Sequence, residues 1–183
     1  MKIITIPHLT LRQQAKTVSD PSNKNFQQFV KKMEKTLLKT NNPKGVGLAG
    51  PQVNKLYRVF LTTLENQVIS YINPQIIEHS KKHTLGPDPE NPKLEGCLSM
   101  PTLYGPVPRW EWVEVSYQTL KDGKVVNKKD RFEDFHARVV QHEIDHLEGI
   151  LFTDYSLEYD LPVYREEKKK LVEITDRSVL KLY

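Results

Sequence analysis

Two histidines four residues apart bracket a glutamate in Gln141-His142-Glu143-Ile144-Asp145-His146-Leu147-Glu148-Gly149, and that spacing has chemical sense only on a helix. Positions i and i+4 lie on one helical face, so His142 and His146 can offer imidazole nitrogens to a single ion. Glu143 then stands beside them as acid or base toward metal-activated water. The bland alternative is a charged helix whose histidines face solvent. A catalytic centre of this kind keeps three protein ligands and one open position, so a third ligand must come from elsewhere in the chain.

The helix bearing this motif is predicted from about Asp134 to Leu147, with Gly149 as the left-handed residue that closes it. Val139 and Val140 precede the motif, which predicts burial on most sides and hence rigid ligands. Upstream, Phe26, Phe29, Val30, Met33, Leu37 and Leu38 recur at spacings of three and four, the apolar face of a helix over roughly 24–40. Asn41-Asn42-Pro43 should end it, because proline biases its predecessor away from helix.

Between the two helices the chain reads as β-rich. Arg58–Thr62 and Gln67–Ile72 are compact β-prone runs, the second closed by Asn73-Pro74. Trp112–Tyr117 alternates apolar and polar residues, Lys121-Asp122-Gly123-Lys124 reads as a hairpin turn, and Val125-Val126 starts the return strand. The segment from His79 to Pro92, with Gly86-Pro87-Asp88-Pro89, is too proline-rich for regular structure and reads as a surface loop, or more sharply as a flap over a site. Beyond Asp154, Leu161–Tyr164 and Leu171–Ile174 lean toward strands around a charged turn, and Ser178–Tyr183 toward extended chain. The expected fold is α+β: one domain over residues 1–183, with mostly antiparallel β-sheets packed around a central helix carrying the HExxH motif.

Length and composition agree with a single globular domain, at 183 residues with 38% hydrophobic and 27% charged residues. The net charge of +4 is scattered among 23 acidic residues, and no nucleic-acid-reading motif accompanies it. Lys168-Lys169-Lys170 follows Glu166-Glu167 and reads as a solvated face. The N-terminus lacks the apolar stretch of a secretory signal, and no run of about 18 apolar residues occurs, so a cytoplasmic protein without a membrane span is expected. Cys97 is the single cysteine, which excludes an intramolecular disulfide and leaves a buried hydrophobe, a ligand or a nucleophile.

Two further segments place glycines beside a polar residue: Gly45-Val46-Gly47-Leu48-Ala49-Gly50-Pro51-Gln52 and Glu95-Gly96-Cys97-Leu98-Ser99. Glycine lets backbone approach a ligand closely. The first lacks the Lys-Ser/Thr ending of a phosphate loop. Together with Gln141–Leu147, the segments resemble the peptide deformylase family, whose motifs are GxGLAxxQ, EGCLS and QHExDHL in this order. The likeness extends from Pro7 to Asp154. At position 50 glycine replaces the alanine more often seen, leaving Gln52 in register.

The resemblance implies an Fe²⁺-dependent hydrolase, with Zn²⁺, Ni²⁺ or Co²⁺ as substitutes, that takes the formyl group from N-formylmethionyl nascent peptides at the ribosome. Carried over by motif, the ligands are Cys97, His142 and His146. Glu143 is the implied proton carrier, and the Gln52 amide and Leu98 backbone N–H the implied oxyanion donors. Glu95 and Arg109 would form an ion pair fixing the Cys97 loop. Val46, Phe135 and Val139 are the expected methionine-pocket residues, with the peptide backbone lying along a strand edge near Val46, Gly47 and Gly96. Arg138 falls among these positions, pointing either in or out. A metzincin reading places its glycine at Gly149 but its third ligand at Phe152, which cannot ligate. A thermolysin-like reading would need Glu166, Glu167 or Glu173, none in a recognisable helical context. A non-catalytic relative that binds formylated chain ends and a zinc-stabilised structural domain are the alternatives from other classes. Intact Glu143 and Gln52 argue against both.

Overall fold

The computed structural model describes residues 1–41, 44–64, 67–86, 88 and 90–182. The predicted amphipathic face does build the first helix, α1 (Lys24–Leu37). Its N-cap Asn23 accepts from the backbone N–H groups of Asn25 and Phe26, satisfying donors that the first turn leaves unpaired. Phe26, Phe29, Val30, Met33 and Leu37 then bury against Leu48, Val59, Leu61 and Ile72. Asn42 and Pro43, the expected terminator, lie outside the described residues.

β1 (Gly47–Ala49), β2 (Val59–Leu64) and β3 (Gln67–His79) follow. Here the sequence expectation needs correcting, because Asn73-Pro74 does not close β3. The pairing register shifts between Ile72 and Gln75, and Asn73 takes φ 51°, so a bulge absorbs the proline that could not donate to the ladder. The 79–92 segment is likewise not wholly irregular. β4 (His83–Thr84) pairs with β7 (Arg109–Trp110), with β5 (Leu94–Cys97) and β6 (Met100–Pro106) between them in the chain. Pro87 and Pro89 lie outside the described residues.

β8 (Trp112–Lys121) and β9 (Lys124–Glu133) form the expected hairpin. Asp122 and Gly123 both have positive φ, at 51° and 75°, as a two-residue type I′ turn requires. After α2 (Asp134–Glu148) come α3 (Phe152–Glu158), β10 (Tyr164–Glu167) and β11 (Lys170–Glu173). The α3 helix escaped the sequence reading. It starts where the Asp154 carboxylate accepts from the Leu151 N–H, and it buries Phe152, Thr153 and Ser156. A hairpin does form around Lys168-Lys169, but its first strand begins at Tyr164 and not at Leu161, and the expected extended Ser178–Tyr183 tail is not found. Arg177–Leu182 forms a 3₁₀ helix, started by Ser178, whose backbone N–H and hydroxyl both donate to Asp176. Tyr183 lies outside the described residues.

The strands pair antiparallel throughout the described residues, as a five-stranded sheet β1-β2-β3-β8-β9, a four-stranded sheet β11-β10-β6-β5 and the small β4-β7 pair. α2 lays Ala137, Val140, Ile144 and Leu147 on the larger sheet, against Ala49, Phe60, Tyr71, Val113, Val115 and Tyr117. Cys97, Met100, Leu103, Val107, Leu11, Leu151 and Phe152 make a separate cluster under the smaller sheet. Edge strands β1 and β5 of the two sheets therefore face a space that α2 floors.

A Schellman turn closes α2. Gly149 takes φ 75°, its N–H reaches His146 O, and the Ile150 N–H reaches Asp145 O at 2.9 Å. A β-carbon at Gly149 would stand 2.7 Å from the Arg12 carbonyl carbon and oxygen. Gly149→Ala is accordingly expected to destabilise the protein by about 1–3 kcal/mol, measured as a lower urea midpoint at unchanged m. An unshifted midpoint would show that this cap does not restrain the helix.

Candidate metal centre and cleft

The helical period gives α2 a second face, and Phe135, Arg138, Val139, His142 and Glu143 line a cleft of about 220 Å³ between β1 and β5. This volume falls below the ~300–1,000 Å³ of pockets for drug-sized ligands, and suits one side chain with its amide. Val46, Gly47 and Gln52 form one wall, and Gly96, Cys97 and Leu98 the other. Every residue expected at the site lines this cleft except His146. That histidine is 1% exposed and lies behind, with its Nε2 3.2 Å from Cys97 Sγ.

Cys97 ends β5, and Leu98 and Ser99 form the tight turn into β6. Gln52 sits in a 3₁₀ turn over Gly50–Val53, where its Oε1 accepts from the Ala49 N–H at 2.8 Å and its Nε2 points at Cys97 Sγ at 3.4 Å. The N-terminal segment ties the two turns together, since Ile4 N–H donates to Gln52 O and Ile6 N–H to Ser99 O. Ser99 N–H also approaches Sγ at 3.4 Å. Burial alone would push the Cys97 thiol up, but the His146 and His142 imidazoles outweigh it and hold it well below its ordinary value. Thiolate is the form that binds metals.

One ligand atom from each of Cys97, His142 and His146 lies within 4.8 Å of the other two. Tetrahedral coordination at ordinary bond lengths separates thiolate sulfur and imidazole nitrogen by about 3.5 Å, so only small adjustments are needed to close on an ion. The donor chemistry also fits. His142 Nδ1 lies 3.0 Å from Glu95 Oε2, which fixes the tautomer and leaves Nε2 to ligate. These residues therefore form a possible metal site of mixed thiolate and imidazole character.

Glu95 is held in turn by Arg109, through Nε at 3.0 Å and Nη2 at 2.9 Å, and by Arg138 Nη2 at 3.2 Å. Burial opposes its charge, but Arg109 and His142 keep its carboxyl well below the usual range. Arg109 also donates to Asp145, whose other oxygen accepts from the Tyr155 hydroxyl. Arg138 points inward: it is 6% exposed and donates to Val107 O and Thr84 O as well as to Glu95. Sequence reasoning missed Asp145, Tyr155 and the tyrosine wall at Tyr104. Asp145 stands inside the HExxH motif itself, but the others had no local signal.

Glu143 is 4% exposed, and its Oε2 has no hydrogen-bond partner in the structure. Burial pushes its carboxyl up to about 7, with Cys97 and Glu95 adding to the rise and both histidines opposing it. Gly47 is what lets it sit there, because a β-carbon at that position would overlap the Glu143 carboxylate. Phe135 and Val46, both in the cleft lining, are 47% and 37% exposed. Thr102, another lining residue, takes φ 68°, a strained value for a β-branched residue, in the stretch of β6 between Tyr104 and Met100 where the register shifts against β5.

Comparison with known proteins agrees with this geometry. The polypeptide deformylase family model matches residues 1–160. Among curated relatives, peptide deformylase 2 of Nostoc sp. is 36% identical over 178 residues, covering 92% of each chain. Peptide deformylase 1 of Bacillus subtilis is 36% identical over 160 residues, covering 86% of this chain and 91% of that protein. Among solved structures, a peptide deformylase from Synechococcus elongatus in complex with actinonin superimposes with a TM-score of 0.72 at 33% identity, covering 84% of this chain and 77% of that one. The Thermotoga maritima peptide deformylase gives 0.71 at 32% identity, covering 84% and 95%.

The ion-pair network predicts a specific loss. Arg109→Ala strands the Glu95 and Asp145 carboxylates in a dry interior, so it should cost about 3–5 kcal/mol of stability. Metal affinity should also fall about 10- to 100-fold in chelator competition, since Glu95 then no longer holds His142. Unaltered affinity in a folded variant would separate this brace from ligand orientation.

Proposed function

The chain belongs to the peptide deformylase family, and from that premise we propose how its own residues perform the family's reaction. The protein is a metal-dependent hydrolase that removes the N-formyl group from the formylmethionine of nascent polypeptides and releases formate. The observation that carries the proposal is one buried cluster holding three ligand atoms and, beside them, a carboxylate oxygen without a partner.

Cys97, His142 and His146 would hold the metal, which when bound would supply Lewis acidity and make water a better nucleophile near neutral pH. Glu143 takes the proton of the attacking water at its free Oε2 as the water oxygen bonds to the formyl carbon, and later returns that proton to the departing amine nitrogen as the C–N bond breaks. Its raised pKa suits a group that must both accept and give up a proton near neutral pH. The Gln52 Nε2–H and the Leu98 backbone N–H donate to the oxyanion that forms on the formyl oxygen. Gln52 is held by the Ala49 N–H, so its donor reaches that position without reorganising. Val46, Phe135 and Val139 enclose the methionine side chain. The peptide backbone pairs with the edges of β1 and β5 at Gly47 and Gly96.

We take the metal to be Fe²⁺, with Zn²⁺, Ni²⁺ or Co²⁺ able to substitute, because a thiolate with two imidazoles suits all four and the family implies iron. The catalytic domain is read as spanning residues 1–183, with α2 as the central helix bearing HExxH, a placement supported by its packing on β1, β2, β7 and β9. Formylated chain ends would be met at the ribosome in the cytoplasm. No helix among the described residues is long and apolar enough to cross a membrane.

Glu143→Gln keeps the shape but cannot accept the proton. It should retain the metal by elemental analysis and lose formate release from a formylmethionyl peptide by at least about 10²-fold. Substantial turnover in a metal-loaded Glu143→Gln variant would remove this residue from the mechanism. Gln52→Leu should lower kcat about 10²- to 10³-fold with metal content preserved. A fall confined to KM would instead assign Gln52 to binding.

A further inference from the structure

The two strands that line the cleft run the same way with respect to its chemistry. β1 starts at Gly47 and leads to Gln52, while β5 starts at Leu94 and ends at Cys97. Lys44 and Lys93, the cleft-lining residues that precede them, therefore stand at the end away from the donor cluster. Four residues of extended chain separate Lys93 from Cys97, about 13 Å at ~3.3 Å per residue. A peptide lying extended in the cleft covers that length in four residues. Its third to fifth residues, counted from formylmethionine, thus come level with the lysines.

Both positions are anchored through the backbone, while among the described residues the two lysine side chains make no hydrogen bond or ion pair. Lys93 N–H donates to Leu85 O at 2.8 Å. Gly45, next to Lys44, receives the Thr63 hydroxyl on its carbonyl and gives its N–H to Thr40 Oγ1 at 2.9 Å. Among the described residues, neither ammonium has a carboxylate within 4.0 Å. The carboxylates in the lining, Glu95 and Glu143, are inner residues, and Glu95 is already bound to two arginines. Glu166 is the acidic group nearest to Tyr104 in the hydrogen-bond network, and it accepts from the tyrosine hydroxyl at 3.3 Å. Among the described residues the outer cleft therefore presents two positive charges without an ion-pair partner to whatever emerges from it.

We propose that Lys44 and Lys93 set substrate preference, favouring formylated chains with Asp or Glu at the third to fifth residues. The inference rests on the deformylase reading of this cleft. Attraction between exposed charges is modest and screened by salt, so each lysine should contribute about two- to fivefold in kcat/KM, chiefly through KM.

The test uses the full-length, metal-loaded enzyme and three formylmethionyl peptides identical except at residues three to five, which are acidic, amide or basic. Formate release at low salt should rank acidic above amide above basic, with the spread shrinking at 0.5 M salt, roughly beyond one Debye length of screening. The double variant Lys44→Glu with Lys93→Glu should invert the order, and its turnover of the amide peptide reports that it is folded. Equal kcat/KM across the wild-type series overturns the proposal, as does a ranking that the double reversal leaves unchanged. No formate from any peptide would instead overturn the deformylase reading, and this proposal with it.

Discussion

The Glu95 carboxylate is the point on which the site's geometry depends. It is buried, which opposes its charge, yet it meets Arg109 twice, Arg138 once and His142 Nδ1 once. Burying a carboxylate in isolation costs several kcal/mol, so Glu95 stays ionised only while these donors converge on it. They come from different parts of the chain: Arg109 from β7, Arg138 and His142 from α2, and Glu95 itself from β5. Each element is thereby fixed relative to the others by a shared charge. Two positions beyond Glu95 on the same strand is Cys97, so the restraint that orients His142 also places the sulfur.

The same residues explain why the cleft opens between two sheet edges. Edge strands normally invite unwanted pairing, and proteins shield or shorten them. Here β1 is three residues long and β5 four, and both edges border the cleft. Gly47 lets the Glu143 carboxylate approach β1 closely, and any side chain there would push it away. The price of that closeness is a wall without a side chain of its own at Gly47, beside the exposed Val46 and Phe135.

Much of this was legible in the sequence, for reasons that differ by element. The helices α1 and α2 follow from apolar residues at helical spacing, and the β8–β9 hairpin from Asp122-Gly123, because these signals are local. The three short motifs identify the cleft residues because each carries chemistry in a fixed order. What was not legible depends on distant partners. Asn73-Pro74 looks like a strand end until β8 supplies a ladder that tolerates a bulge, and His83-Thr84 looks like loop until Arg109-Trp110 pairs with it. The alternating tail after Arg177 becomes a 3₁₀ helix because Asp176 caps it, and α3 begins where Asp154 caps the Leu151 N–H. Arg138 could not be oriented from sequence, since only the fold brings Glu95, Val107 O and Thr84 O within its reach.

Two carboxylates on either side of one histidine illustrate how position assigns role. Glu95 and Glu143 are both buried, and both border His142 in space or in sequence. Glu95 is surrounded by guanidinium groups, so its proton is lost and it serves as a fixed anchor. Among the described residues Glu143 has no arginine on it and keeps one oxygen without a partner, and burial raises its carboxyl toward neutral pH. Pairs whose environments push their pKa values apart are how a single fold separates a structural charge from a proton carrier. In this chain the separation follows from register: β5 points Glu95 toward the arginines, and α2 turns Glu143 toward Gly47, where burial outweighs the two histidines.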